Sequence, residues 1–259
     1  MKLADSLYAI KEFQQAQIEY EKIIYRSGNP DTINQALLKK IYCQKQQGNY
    51  SEAKQTAERL NFFSGSPEVQ NQLRYEAAVV NYLASDYSLA YNHILHAKNQ
   101  LKDSSLLEQL LFIEILVLND LLEWEKAREV FREYQKLRGG ELEVVDELYG
   151  FLKKGKLKSK KKAEWLSVFV PGSGQVYAGY FAQGIISFVL VFTPVGLGLL
   201  YMSKGYYITG ILSGLMVGQM FYFGGVVHSK NLTEKRNNAF IQKHNSRIKN
   251  YLVDSRKQG

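Results

Sequence analysis

The sequence contains little cysteine and little histidine, and both scarcities restrict what the protein can do. Cys43 is the only cysteine among 259 residues, which excludes an internal disulfide framework and a cysteine-based metal cluster. The four histidines include one close pair, His93 and His96, but no further cluster of cysteine, histidine or carboxylate completes four metal ligands. We therefore predict no metal site and no other cofactor.

The sequence also lacks the residue patterns of catalysis. It has no Ser/His/Asp order, no nucleophile elbow and no kinase motif. Its carboxylate pairs, such as Glu141 and Glu143, fall on the solvated side of a predicted helix. Residues 172–175 read Gly-Ser-Gly-Gln, but the Gly-Lys-Ser/Thr that completes a phosphate-binding loop does not follow. We predict that the protein is not an enzyme.

Acidic residues are scarce in the second part of the chain only. Residues 1–150 hold 17 Lys+Arg and 22 Asp+Glu, a net charge of −5, whereas residues 151–259 hold 16 and 3, a net charge of +13. Basic charge beside apolar segments is typical of membrane topology and of contact with anionic lipids. No signature of a nucleic-acid-binding module accompanies it. The expected partners of this part are anionic lipids and not nucleic acid.

Charged side chains are absent from two long stretches of this second part. Residues 165–203 and 205–227 carry none, and Lys204 lies between them. Because hydrocarbon about 30 Å thick takes roughly 20 apolar residues in a helix, the region is long enough for two spans and an interfacial segment. We predict an interfacial helix over 163–170, a break over 171–179, and spans over about 180–202 and 206–227.

Lysine and arginine flank these spans on their outer sides. Residues 153–162 hold seven lysines, and the tail after residue 229 is basic as well, whereas the connection between the spans carries only Lys204. The positive-inside rule then places both termini in the cytoplasm. The prediction is a two-pass hairpin.

A repeat with a period of 37 residues organises the first part of the chain. Aromatic residues recur at 13, 50, 87 and 124, and alanines recur at 16, 53, 90 and 127. Together with apolar residues on the next two turns, they form one stripe of a helix that packs on its neighbour. Turn residues separate the helix pairs at 27–30, 64–67 and 102–105. This pattern predicts helix–turn–helix units that stack into a solenoid.

The repeated pattern is an acidic residue or Asn, then an aromatic, Ala three positions later, and an aromatic or apolar residue four positions after that. It resembles tetratricopeptide repeats over about residues 1–137, although those usually run 34 residues, and a helix over 141–154 would cap the last unit. The resemblance implies a groove, lined by the first helix of each unit, that binds a protein or peptide. In that spacing the candidate groove residues are Gln35, Tyr42, Gln72, Tyr75, Tyr82 and Gln109. Ordinary packing between helices is the alternative role for all six.

A second resemblance lies at the start of the apolar region. Pro-Gly-x-Gly-Gln-x-Tyr-x-Gly followed by a small apolar hairpin resembles a bacterial two-pass membrane domain of largely uncharacterised function, over about residues 163–228. The matching residues are Pro171, Gly172, Gly174, Gln175, Tyr177 and Gly179. Three glycines and a proline within nine residues predict a segment that does not form a stable helix. Such backbone at membrane depth must be covered by protein or water.

Two further features concern packing near the end of the chain. Gly210, Gly214 and Gly218 recur every four residues on the second span, a spacing that lets helix backbones approach closely. Their partner is the first span of the same chain or, in a homo-oligomer, a second copy. After Lys230 an amphipathic helix follows, for which two placements are open: the membrane surface, which we favour, or the solenoid.

The predicted fold class is all-α, an N-terminal tetratricopeptide-like helical solenoid plus a C-terminal transmembrane helical hairpin. Its domains are the repeats with their cap (1–154), a basic linker (155–162), the membrane domain (163–229) and the tail helix (230–259). We hypothesise a membrane-anchored scaffold that binds a protein or peptide at the bacterial cell envelope, in the inner (cytoplasmic) membrane. The alternatives are a membrane-biogenesis or transport accessory whose hairpin is the active part, and a purely structural envelope protein.

Overall fold

A computed structural model describes residues 1–101, 104–154 and 157–257. Residues 102 and 103 of the third predicted turn and residues 155 and 156 of the predicted linker lie outside this part. Across the described residues every regular element is a helix and none is a strand. The chain forms two compact units, Met1–Leu152 together with Leu252–Gly259, and Lys153–Tyr251.

The first unit is built from paired helices whose spacing follows the sequence repeat. The helices are α1 (Lys2–Ala9), α2 (Phe13–Arg26), α3 (Pro30–Gln46), α4 (Tyr50–Ala57), α5 (Pro67–Leu83), α6 (Tyr87–Gln100), α7 (Ser104–Asp120), α8 (Trp124–Arg138), α9 (Leu142–Leu148) and α10 (Phe151–Lys154). The even-numbered helices α2 to α8 begin at the four repeated aromatic residues. Helices α3, α5 and α7 each contain 17 residues, and their starts are also 37 residues apart.

One turn connects the two helices of each pair. Its central residue adopts positive φ at four equivalent positions, Lys11 (64°), Gly48 (74°), Ser85 (62°) and Leu122 (63°). The next backbone N–H donates to the carbonyl five residues earlier at each position, at 2.8–2.9 Å, which caps the carbonyl end of the preceding helix. Only one of the four residues is glycine, although this conformation costs other residues roughly 1–2 kcal/mol.

Small buried residues let consecutive helices pack against each other in this unit. The alanines at 16, 53, 90 and 127 are fully buried, and contacts join each helix from α1 to α9 to the next. Asn34 on α3 fixes the loop after α4, because its Nδ2 donates to the Asn61 carbonyl at 2.9 Å and its Oδ1 accepts from the Asn61 N–H at 2.9 Å. The core is therefore a series of local helix contacts.

The second unit contains two long apolar helices. Its elements are α11 (Lys160–Phe169), α12 (Ser173–Ala178), α13 (Phe181–Ser203), α14 (Tyr207–Gly210), a π-helix (Ile211–Met216) and the part of α15 (Val217–Lys257) up to Tyr251. Helix α13 and the continuous helix Tyr207–Arg256 are long and apolar enough to cross a membrane, and only 11% and 17% of their most apolar segments are buried within the protein. Apolar helices this exposed are characteristic of lipid-facing surfaces rather than of a water-soluble core.

Three features of this unit differ from the sequence predictions. The predicted break over 171–179 contains the six-residue helix α12, so the expectation that the segment cannot be helical is wrong. The second apolar helix continues through Lys230 into the tail without interruption, because no proline or glycine follows Gly225 before the terminus. The basic linker is shorter than predicted, since Lys160 to Lys162 form the first turn of α11.

Candidate functional site

The sequence predicts three sets of site residues: the groove residues in the first unit, and the glycine motif and the three glycines of the second apolar helix in the second unit. The glycine motif spans residues 171–179. Gly172 has φ +93°, and a Cβ placed on it would overlap the carbonyl oxygen of Gly184 on α13 and lie 2.9 Å from its carbonyl carbon. A Cβ on Gly174 would likewise overlap the carbonyl oxygen of Ala163 on α11. Glycine is required at both positions because backbone meets backbone there.

Gln175 is the polar centre of the motif. Its side chain is fully buried, and its Nε2 donates to Ser187 Oγ on α13 at 3.0 Å and to the Gly225 carbonyl on α15 at 2.8 Å. Its Oε1 accepts from Ser167 Oγ on α11 at 3.3 Å. One amide therefore links three helices, and both its hydrogens and its oxygen are used.

The backbone around α12 is satisfied by nearby hydroxyl groups. Ser173 Oγ lies within hydrogen-bond distance of the carbonyls of Leu166 and Val170, at 2.6 and 2.7 Å. Tyr222 Oη donates to the Val168 carbonyl at 2.7 Å. Protein groups thus form hydrogen bonds with backbone carbonyls of α11 and of the turn before α12. Non-helical backbone beside apolar spans needs such partners, because lipid offers none. This covering supports a packing role for the motif, with half-buried Pro171 at its start.

The end of α12 carries an aromatic ring surrounded by lysines. Lys158 Nζ lies 4.8 Å and Lys162 Nζ 5.4 Å from the centroid of the Tyr177 ring, within the range of cation–π attraction. Lys158 Nζ also donates to the Tyr177 carbonyl. Gly179 follows at φ +95° and ends the helix. The motif therefore has two environments: Gln175 is buried among helices, and Tyr177 lies beside two lysines.

Glycine residues allow the two apolar helices to pack closely against each other. A Cβ on Gly198 of α13 would lie 2.6 Å from the Cα of Gly214 and 2.7 Å from the carbonyl oxygen of Gly210. A Cβ on Gly218 would lie 2.9 Å from Val195 Cγ2. All three glycines of the second span thus face the first span of the same chain.

A π-helix follows Gly210, which no sequence pattern indicated. Residues four apart drift about 40° around an ordinary α-helix, since it has 3.6 residues per turn. The wider turns of the π-helix over Ile211–Met216 shift residues four apart in the opposite sense. Gly210 and Gly214 consequently lie over the same stretch of α13.

The six residues predicted to line the groove lie on α3, α5 and α7. Five are half-buried and one, Gln35, is exposed; the half-buried residues are Tyr42, Gln72, Tyr75, Tyr82 and Gln109. Tyr42 Oη donates to Glu76 Oε1 at 3.0 Å. Burial raises the pKa of Tyr82, and the charge of Asp120 and a hydrogen bond to it raise the pKa further. Each of these two tyrosines contacts the next odd-numbered helix, so both contribute to packing.

The C-terminal turn of the chain lies against residues of α7 and α8. The guanidinium of Arg256 lies 5.2 Å from the centroid of the Phe112 ring, and Arg138 Nη2 donates to the Ser255 carbonyl at 3.4 Å. Leu252 is fully buried. Burial raises the pKa of Tyr75, whereas the charge of Arg256 acts to lower it. This packing differs from the membrane-surface placement that we favoured for the tail.

Phe112 contacts the C-terminal turn and was not among the six residues predicted from the sequence. It follows Tyr75 by one repeat period of 37 residues, so the two occupy equivalent positions on α7 and α5. That period was the signal that could have identified it. The partners Arg138 and Arg256 had no such signal, because they are 118 residues apart in the sequence.

Among the described residues, no group of three or more histidine, cysteine or carboxylate side chains is placed to hold a metal ion. Burial lowers the pKa of His93 to about 4, and the charges of Arg74 and His96 add to this effect. The half-buried His93 packs on the Phe62 ring with centroids 5.1 Å apart. In comparisons with family models, curated proteins and solved structures, none matches this chain.

Proposed function

We propose that the protein is a membrane-anchored helical-repeat scaffold whose N-terminal unit binds an amphipathic, arginine-bearing helix of a partner protein. The binding face is formed by the odd-numbered helices α3, α5 and α7 of a tetratricopeptide-like solenoid. The four equivalent turns and the fully buried alanines, both repeating every 37 residues, support this repeat architecture.

The contact of the C-terminal turn carries the proposal. Arg256 lies over Phe112, so a helix that is not part of the repeats contacts one aromatic position of the face. The charge of Arg256 also acts to lower the pKa of Tyr75, the equivalent position one repeat earlier. Helix recognition in a groove commonly uses such anchors at helical spacing. The C-terminal turn of the chain is therefore an example of the arginine-bearing helix that we propose as the ligand.

Membrane anchoring rests on the two exposed apolar helices. Both termini are cytoplasmic in the proposed topology, in a bacterial inner membrane, because basic residues flank the outer sides of the spans and Lys204 alone lies between them. A reporter fused after Gly259 tests this orientation. Activity of a reporter that works only outside the cytoplasm would contradict it.

Peptide binding by the full chain tests the scaffold proposal. A labelled peptide with the sequence of residues 238–257 is titrated against the protein in lipid nanodiscs and followed by fluorescence anisotropy. We expect weak binding to the intact chain, since the tethered tail competes at an effective concentration on the order of mM. A chain ending at Tyr251 should bind the peptide more tightly.

Matched variants of the shortened chain identify the surface. Phe112→Ala should weaken peptide binding about tenfold, because it removes a cation–π contact and the ring surface beneath it. Phe63→Ala is the control, since Phe63 is 86% exposed in the loop after α4. Equal affinities for the two variants, or no binding by the shortened chain, would reject the face defined here.

A further inference from the structure

Three cationic side chains meet beside Tyr177, at the end of the glycine motif. Lys158 and Lys162 lie near the Tyr177 ring, and the Arg236 side chain borders Gly179, where an added Cβ would lie 3.7 Å from Arg236 Nε. We call these three cations the basic cluster. Burial and the charge of Arg236 both lower the pKa of Lys158, so the like charges are close enough to affect each other.

Among the described residues, no carboxylate forms an ion pair with the basic cluster. Within Lys153–Tyr251 the sequence contains two acidic residues, Glu164 and Glu234. Glu164 Oε1 pairs with Lys230 Nζ at 3.0 Å, and Glu234 Oε1 pairs with Lys160 Nζ at 3.0 Å. Both glutamates are therefore committed to lysines outside the basic cluster.

Hydrogen bonds hold the basic cluster in place. Asn237, the neighbour of Arg236, accepts from the Lys158 N–H at 2.9 Å and donates to the Lys158 carbonyl at 2.8 Å. The Ser159 N–H donates to Tyr177 Oη at 3.2 Å. Lys158 Nζ uses one of its three hydrogens on the Tyr177 carbonyl, which leaves two donors for a ligand. Cations fixed together without a counter-ion repel one another, and a bound anion relieves that repulsion.

The basic cluster lies next to the start of an apolar helix. Gly179 is two residues before Phe181, which begins α13 and is 67% exposed. Trp165 and Phe169, on α11, are exposed and stacked with centroids 6.0 Å apart. Exposed aromatic rings at the end of an apolar span are typical of the headgroup level of a bilayer. Phosphate groups of lipids are available at that level.

We propose that Lys158, Lys162 and Arg236 bind the phosphate of an anionic phospholipid headgroup. The arginine offers a planar pair of N–H donors to two phosphate oxygens, and the two ammonium groups supply further charge-assisted hydrogen bonds. The proposal rests on the membrane anchoring proposed above and assigns a specific site to it. A free phosphate ion has the same chemistry, so the test separates the two sources.

Lipid selectivity of the full chain measures the site. The protein is reconstituted into phosphatidylcholine vesicles, and the immobilised fraction of spin-labelled phosphatidylglycerol is compared with that of spin-labelled phosphatidylcholine by electron spin resonance. The site variant carries three changes, Lys158→Gln, Lys162→Gln and Arg236→Gln. The control variant removes the same charge from three exposed lysines that lie outside the basic cluster, through Lys161→Gln, Lys235→Gln and Lys243→Gln.

We expect the native chain to prefer phosphatidylglycerol. The site variant should lose at least about fivefold more of that preference than the control variant, because both lose the general attraction of basic residues to anionic lipid and only the site variant loses charge-assisted hydrogen bonds to the phosphate. An equal loss in both variants would show that charge alone acts, without a site, and would overturn the proposal. Loss of the preference at 10 mM inorganic phosphate, with salt held constant, would assign the basic cluster to free phosphate and overturn the lipid assignment.

Two controls separate loss of the headgroup site from loss of membrane anchoring and from unfolding of the variant. Flotation with vesicles reports anchoring by itself, so a native chain that does not float contradicts the proposed function rather than the headgroup site. If circular dichroism shows that the site variant is unfolded, Lys162→Gln alone replaces it, since Lys162 is exposed. That single variant should reduce the preference by more than Lys161→Gln does, and equal effects would reject the site.

Discussion

Replacing Gly172 with alanine should destabilise the second unit more than the same change at Gly205. Both glycines have positive φ, 93° and 87°, so both substitutions force alanine into the left-handed region. They differ in their surroundings. A Cβ on Gly172 overlaps the backbone of Gly184, whereas nothing lies within 4 Å of a Cβ on Gly205. The difference between the two changes in the free energy of unfolding therefore measures how much the close packing of the segment before α12 against α13 depends on glycine.

The expected magnitudes follow from these two differences. Left-handed backbone costs a residue with a side chain about 1–2 kcal/mol, which is the full effect expected for Gly205→Ala. Overpacking adds about 1–3 kcal/mol, so Gly172→Ala should cost about 2–5 kcal/mol in total. The overlap at Gly172 is with backbone atoms of Gly184, so no side-chain rotation relieves it. The helix backbones must separate instead.

Unfolding in mixed micelles measures the difference. The full chain is titrated with dodecyl sulfate, and the fluorescence of Trp165 is followed in a Trp124→Phe background, because these are the only two tryptophans. Trp165 lies on α11 in the same unit as Gly172. Equal shifts of the transition for Gly172→Ala and Gly205→Ala would refute the argument that backbone contact at Gly184 requires glycine.

Three smaller predictions concern the turns, a histidine and the apolar helices. Ser85→Gly should raise the free energy of unfolding of the N-terminal unit by about 1–2 kcal/mol, because Ser85 has positive φ. Gly48→Ala should lower it by a similar amount, and chemical denaturation measures both changes. Since burial lowers the pKa of His93 to about 4 from 6.5, the unfolded chain binds the proton more readily. Stability should then fall between about pH 6.5 and 4, and His93→Gln should weaken that dependence in thermal melts at several pH values. Gly214→Ala should weaken packing of the apolar helices, since its Cβ would lie 2.9 Å from the backbone of α13, and Gly224→Ala, with open space around it, should not; micelle unfolding compares the two.

The helix starts in the N-terminal unit could be predicted because their cause is local. An aromatic residue followed by alanine at +3 recurs every 37 residues, and α2, α4, α6 and α8 begin at those aromatic residues. The positive φ of Lys11, Ser85 and Leu122 was not predicted, since none of the three is glycine. Gly48, at the equivalent position of the second repeat, was the available clue.

The hydrogen bonds of the glycine motif could not be predicted, because the partners of its central residue are distant in sequence. Gln175 bonds Ser187 and, 50 residues away, the carbonyl of Gly225. Local composition argued against a helix over Ser173–Ala178, but these tertiary bonds and the left-handed glycines at both ends permit one short helix. Propensity is a weak guide where buried polar contacts fix the backbone.

One turn geometry occurs in both units, and their difference lies in the surfaces that the turn connects. The N–H groups of Tyr180 and Tyr206 donate to the carbonyls five residues earlier, at 2.9 and 3.0 Å, as in the repeats. Each tyrosine follows a glycine with positive φ and precedes an apolar helix. In the N-terminal unit the turn joins helices whose small residues are buried in protein, whereas here it joins helices whose large apolar side chains are exposed. The turn therefore determines where helices begin, and the composition of their faces determines whether protein or lipid surrounds them.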